Sequence, residues 1–309
     1  MTPLKAPSSF ENQQSASAYI AECEVQFKEQ VISLAKNLAT VSDLHLIGLS
    51  GPTCAGKTTT AALLIDHLHQ AGKRVHLISV DDFFREQPNS RESLKKEGAE
   101  PPDFDSIDAL DFDLFASCMD ELMRTGHTMM PQFDLGRGVR KGFCELSVQD
   151  DNDVFLLEGI QVVYPEISAL LRQYNYRSIF TNVQNDLVVG GVTYTPAHVR
   201  FLRRVVRDYH FRSSDAAFTF FLWESVRKNE KKSILPYADA CDSQLDSLMG
   251  YEIGMLRPYL ETILGELSFQ SVYRKQADDI LEHVRHVQPL KTEWLPDNAL
   301  YREFVPVKK

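Results

Sequence analysis

No run of 18 apolar residues occurs anywhere in the chain, and Met1 to Gln14 is polar, without a charged flank leading into an apolar core. Neither a membrane-spanning helix nor a secretory signal is expected. Cysteine is scarce: Cys23, Cys54, Cys118, Cys144 and Cys241 form an odd set with no C-x-x-C pair. That fits a reducing compartment better than a disulfide framework, so a soluble cytoplasmic protein is expected. Positive charge is also in deficit, 33 Lys and Arg against 43 Asp and Glu for a net charge of −10. A sequence-independent grip on nucleic acid or on an anionic membrane is not expected, and any anion site must be a local basic cluster. The histidine pairs His67/His69 and His283/His286 lack a third ligand at useful spacing, which argues against zinc. There is no internal repeat and no low-complexity tract.

What remains is a chain of 309 residues with 43% apolar content, enough for a real core. Tyr19 to Leu38 carries one apolar stripe at helical spacing. Leu44 to Leu49 reads as a short buried strand that feeds a Gly-rich loop and a helix from Lys57 to Gln70. A strand over Arg74 to Val80 ends at Asp81-Asp82, and Gln87 to Pro102 reads as a surface loop. A helix is predicted over Asp108 to Arg124, and a hairpin from runs at Thr128 to Phe133 and Lys141 to Leu146. The apolar strand Val154 to Glu158 also ends on an acid. A helix near Pro165 to Arg172 and a strand near Arg177 to Thr181 follow, then helices over Ala197 to Tyr209, Ala216 to Lys228 and Ser243 to Leu264. This alternation predicts an α/β fold, a doubly wound parallel sheet with helices on both faces.

Gly51-Pro52-Thr53-Cys54-Ala55-Gly56-Lys57-Thr58 matches G-x-x-x-x-G-K-S/T. Glycines let backbone N–H groups turn inward on phosphate oxygens, and the following helix adds its positive N-terminus. Lys57 is expected on the β and γ phosphates of ATP and Thr58 on Mg2+, with Thr59 continuing the cradle. The pattern arises by chance in about one chain in a hundred of this length, and less often between a strand and a helix. Asp81 and Glu158 end apolar strands, which in a doubly wound sheet brings them to the edge that carries the loop. One carboxylate to take a hydroxyl proton and another to hold hydrated magnesium are what phosphoryl transfer requires.

These motifs, with Ser79-Val-Asp81-Asp-Phe83-Phe84, Phe104-Asp105-Ser-Ile-Asp108, Pro131-Gln-Phe133-Asp134 and Leu156-Leu-Glu158-Gly159, occur in the order found in uridine kinases. The chain resembles the phosphoribulokinase/uridine kinase family of P-loop NTPases over about Leu46 to Tyr259. The resemblance implies that Asp81 is the catalytic base and that Asp105 holds vicinal ribose hydroxyls. It also places Phe84, Phe133 and Arg140 against the acceptor. Phe133 stands where the family has a tyrosine and Gly138 where it has a base-reading histidine, so the pocket departs from uridine and cytidine kinases at two positions. Gly138-Val-Arg140, Trp223 to Arg227, Ile234 to Pro236 and Tyr301 to Phe304 resemble a uridine-kinase-like branch often fused to a threonyl-tRNA-synthetase-like N-terminal region. Residues 1–43 are too few for that region, and a stand-alone core is expected.

Arg200, Arg203, Arg204 and Arg207 lie at i, i+3, i+4 and i+7, one face of a helix. The resemblance makes the segment around 196–215 a lid over the nucleotide, with Arg200, Arg203 and Arg204 on its phosphates. Arg207, also counted as catalytic, and Arg212 would meet the transferring group. The expected organisation is a leader and helix over 1–43, a kinase domain over 44–290 and a tail over 291–309. The expected activity is transfer of the γ-phosphate of ATP to a hydroxyl of a nucleoside-like small molecule, without nucleic acid or membrane partners; a homo-oligomer is compatible with the sequence. A kinase for a sugar or hydroxy acid and a nucleotide-binding regulator remain open alternatives.

Overall fold

A computed structural model describes residues 2–86 and 106–306 of the chain. Its frame is a five-stranded, all-parallel sheet in the order β10-β7-β2-β6-β3. The strands are β2 (Leu46–Ser50), β3 (Arg74–Ser79), β6 (Asp153–Glu158), β7 (Tyr176–Asn182) and β10 (Ser243–Asp246). Parallel neighbours need long crossovers, so helices cover both faces and the central strands become apolar throughout. Side chains alternate between two cores: Ile47, Leu49, Val154 and Leu156 enter one, while Leu46, Phe155 and Leu157 enter the other.

The first core is covered by α1 (Gln13–Ala39), α2 (Lys57–Gln70), α5 (Pro196–Phe211) and α7 (Glu252–Gly265), and the second by α3 (Phe112–Thr125) and α4 (Pro165–Leu171). Asn12 and Ser15 start α1 with a capping box, and Ile20, Phe27, Val31 and Leu38 form its buried stripe. Leu300, Tyr301 and Phe304 pack into the same core. The segments read from sequence as a leader and a tail are thus part of the body of the fold. No helix among the described residues is long and apolar enough to cross a membrane.

The expected hairpin is β4 (His127–Asp134) with β5 (Val139–Ser147). A small sheet of β1 (Leu4–Lys5), β8 (Leu187–Val189) and β9 (Val192–Tyr194) was not foreseen. Two expected helices are corrected. Ser243 to Leu264 is not one helix: Ser243–Asp246 is the edge strand β10, and α7 starts only at Glu252, after Gly250, where a Cβ would lie 2.0 Å from the Tyr19 hydroxyl. The helix predicted from Asp108 starts at Phe112, because Asp111 caps it by accepting from Leu114 N–H at 3.4 Å. Two further α-helices among the described residues are α6 (Ala216–Asn229), which runs into a π-helical turn over Glu230–Ile234, and α8 (Arg274–Val284).

Candidate active site

Glu158 at the end of β6 sits in register with Leu49 on β2 and with Ser79 on β3. The loop after β2, Asp81 just beyond β3 and Glu158 therefore emerge at one sheet edge. Gly51 leaves the sheet where a Cβ would lie 2.1 Å from the Thr181 carbonyl oxygen, so only glycine fits. Gly56 adopts φ +86 as the N-cap of α2 and offers no capping side chain, which leaves the N–H groups of Lys57 and Thr58 for an external anion. The loop is shaped from behind. Arg200 Nη1 donates to Thr53 O at 3.1 Å, Arg203 Nη1 to Cys54 O at 3.0 Å and Thr181 Oγ1 to Ala55 O at 3.3 Å. With three successive carbonyls held outward, Cys54 takes a left-handed φ of 58, costing roughly 1–2 kcal/mol for a non-glycine residue. Lys57 Nζ bridges Gly51 O at 3.0 Å and Pro52 O at 3.4 Å across the loop mouth.

The loop opens on a cleft of about 720 Å³ that gathers Lys57, Thr58, Asp81, Glu158, Arg204, Arg207 and Arg212. Burial, reinforced by the negative charge of Glu158, pushes the Asp81 carboxyl up to about 6, against the opposing pull of Lys57 and Arg212. Burial also raises Glu158, partly offset by Lys57. Two carboxylates in one desolvated corner leave Asp81 a proton acceptor near neutrality and favour a cation between them.

The arginine stripe divides. Arg204 and Arg207 line the cleft, tethered by Asp208, which accepts from Arg204 Nε at 3.1 Å and from Arg207 Nη2 at 2.7 Å. Arg200 and Arg203, expected on phosphates, point away from it: Arg200 is 1% exposed and Arg203 0%. Arg200 forks onto Glu230 at 2.5 and 2.9 Å, and Arg203 onto Glu252 at 2.5 and 2.8 Å. Their distance from the cleft has a plain cause, since each buried guanidinium is already neutralised by a buried carboxylate. They act on the loop backbone instead. The expected lid over 196–215 falls largely on α5, where every residue from Val199 to Asp208 is buried. Phe211, the last residue of α5, and Arg212 and Ser213 beyond it are exposed and line the cleft.

Opposite the loop, Phe84 and Phe133 meet edge-to-face at 6.1 Å and form an aromatic wall. Asp82 fixes the hairpin by accepting from Phe133 N–H at 2.9 Å. Arg140, expected on the acceptor, is not among the residues lining the cleft; its Nη2 pairs with Asp111 at 3.4 Å and its guanidinium covers the Phe143 ring. Asp105 lies outside the described residues. Gln161 and Glu303 are among the cleft residues that the sequence left unmarked. Gln161 is 1% exposed with its Oε1 unpartnered, and Glu303 accepts from both Thr59 N–H and Thr59 Oγ1. Neither carries a local signal; Glu303 reaches the loop from 244 positions downstream.

The profile of the phosphoribulokinase / uridine kinase family matches residues 46–250. A uridine kinase of Halobacterium salinarum is 31% identical over 162 residues, covering 52% of this chain and 61% of that protein. Uridine kinase-like protein 5 of Arabidopsis thaliana is 29% identical over 171 residues, 55% of this chain and 32% of that protein. The chain thus spans less than two thirds of the length of either relative. A solved phosphoribulokinase from Rhodobacter spheroides is 14% identical with a TM-score of 0.46, covering 79% of this chain and 98% of that one.

Proposed function

The chain belongs to the phosphoribulokinase / uridine kinase family, and from that premise we propose that it is an ATP-dependent kinase acting on a hydroxyl of a nucleoside-like small molecule. The observation that carries this reading is Asp81, a half-buried carboxylate raised to about 6, in one cleft with Lys57 and the phosphate loop.

Donor phosphates would lie on the inward N–H groups of 51–59, with Lys57 on the β and γ oxygens. Thr58, Asp81 and Glu158 offer the hard oxygen donors that Mg2+ takes, and the raised proton affinity of crowded Asp81 fits a site that gains from a cation. When bound, that ion neutralises phosphate charge. Asp81 accepts the acceptor's hydroxyl proton as the new O–P bond forms, the bond from Pγ to the bridging oxygen breaks, and ADP leaves. Arg204, Arg207 and Arg212 spread the charge on the transferred group, and Asp208 holds the first two in line.

The aromatic wall of Phe84 and Phe133 supports a flat acceptor body, and Gln161 supplies an oxygen for one of its polar groups. Asp105 is proposed on the ribose hydroxyls from the family pattern alone. The proposed kinase unit, 44–290, is packed against α1 and against Leu300, Tyr301 and Phe304 in one core, and a cytoplasmic location is supported by five free thiols. Screening acceptors by ADP release tests the assignment. Uridine or cytidine should turn over. Turnover with only a sugar or hydroxy acid would overturn the acceptor and leave the reaction class standing.

A further inference from the structure

Behind the active cleft lies a second cavity, of about 1010 Å³. Two helices wall both spaces. α5 gives Arg204 and Arg207 to the cleft and Phe201 and Leu202 to the second cavity. α6 gives Val226 to the cleft and Phe220, Trp223 and Arg227 to the second cavity.

The floor is aromatic: the Phe201 ring lies 4.8 Å from Phe220 and 5.1 Å from Trp223, and Phe220 lies 5.4 Å from Tyr273. The rim is basic. Lys228, Lys231 and Lys232, none in a salt bridge among the described residues, stand with Arg227 against two acids, Glu224 and Asp279, in a chain of net charge −10. Cations at a helix C-terminus are favourable in themselves, but that does not account for an apolar chamber beneath them. A flat apolar body below and one anionic group above would satisfy both layers.

The chamber also touches the loop-holding ion pair. Arg227 pairs with Glu230, Glu230 grips Arg200, and Arg200 donates to Thr53 O of the phosphate loop at 3.1 Å. Trp223 reaches the same pair, with the Arg200 guanidinium 5.9 Å from its ring. An anion that competes for Arg227 alters the charge balance on Glu230 and hence the position of Arg200.

We propose that this cavity is an effector site for an amphipathic aromatic anion, coupled to nucleotide affinity through Arg227, Glu230 and Arg200. The proposal rests on the nucleotide site described above, though not on the identity of the acceptor.

The probe is 1-anilinonaphthalene-8-sulfonate, fused rings bearing one anion, titrated into the full chain with and without saturating MgATP. Its saturable fluorescence gain should survive MgATP, and Lys231→Glu/Lys232→Glu, two exposed positions, should weaken it at least tenfold. Probe and nucleotide should change each other's Kd by one common factor of threefold or more, as linkage demands. Arg227→Met should weaken probe binding less than the double lysine reversal does and bring that factor close to one. Displacement of the probe by MgATP in one-to-one competition, indifference to the lysine reversal, or the absence of a reciprocal effect would each overturn the proposal. A chain inactive as a kinase that still couples the two ligands leaves it standing, so the two readings fail separately.

Discussion

Glu303 Oε2 lies 3.0 Å from Thr59 Oγ1 and 3.3 Å from Thr59 N, so a carboxylate from the far end of the chain occupies the first turn of the phosphate-loop helix. First-turn N–H groups are the donors that a nucleotide phosphate uses, and Glu303 places a negative charge among them. Glu303→Gln keeps an acceptor for Thr59 and removes the charge. MgATP should bind about fivefold tighter, a gain of roughly 1 kcal/mol for a partly screened charge at this range. Isothermal titration gives the answer; an unchanged or weaker Kd would mean that the carboxylate braces the loop without opposing the nucleotide.

Arg203 and Glu252 form a buried fork that also holds Cys54 O through Arg203 and the hydroxyl of Tyr301 through Glu252. Removing one partner strands the other charge. Glu252→Gln should cost about 3 kcal/mol of unfolding free energy, measured by urea denaturation, and should loosen nucleotide binding as the Cys54 carbonyl loses its anchor. Stability within 0.5 kcal/mol of wild type, a change typical of an exposed surface site, would contradict the role given to this pair.

The position of Asp81 sets a pH dependence. Burial first and Glu158 second raise its carboxyl to about 6, and a base works only when ionised. In the free enzyme kcat/KM should therefore fall as pH drops through about 6 and level off above it. Glu158→Gln removes the like charge and should move that acid limb to lower pH. A limb that stays in place would sever the link between the two carboxylates.

Gln161 keeps a buried carbonyl oxygen without a partner at the cleft wall. An unpaired buried polar group is destabilising by about 1–3 kcal/mol, a cost that ligand binding would relieve. Gln161→Met should raise Tm while raising the acceptor KM about fivefold or more, since about 1 kcal/mol of lost hydrogen bonding corresponds to that factor. A raised Tm with an unchanged KM would remove Gln161 from the acceptor site.

The parts of the site that were legible in the sequence are local. The loop from Gly51 to Thr58 is one uninterrupted motif, and Asp81 and Glu158 announce themselves because each ends an apolar strand. What was hidden depends on partners distant in the chain. The spacing of Arg200 and Arg203 disclosed a helix face, yet whether that face meets phosphate or carboxylate is decided by Glu230 and Glu252, 30 and 49 residues away. β10 was read as helix because Ser243–Asp246 is short and only Leu245 is buried. Its strand character comes from pairing with β7, whose register with it runs from Ser243 opposite Ile179 to Asp246 opposite Asn182.

In the proposed reaction Asp81 takes the proton of an attacking hydroxyl in a cleft that holds MgATP. Asp81→Asn, assayed for ADP release with a nucleoside acceptor and titrated with MgATP in parallel, tests it most directly. Turnover should fall by about a thousandfold, the scale of a lost general base, while the MgATP Kd stays within about threefold, as expected for a group acting mainly in the transition state. Undiminished turnover in the variant would contradict the claim.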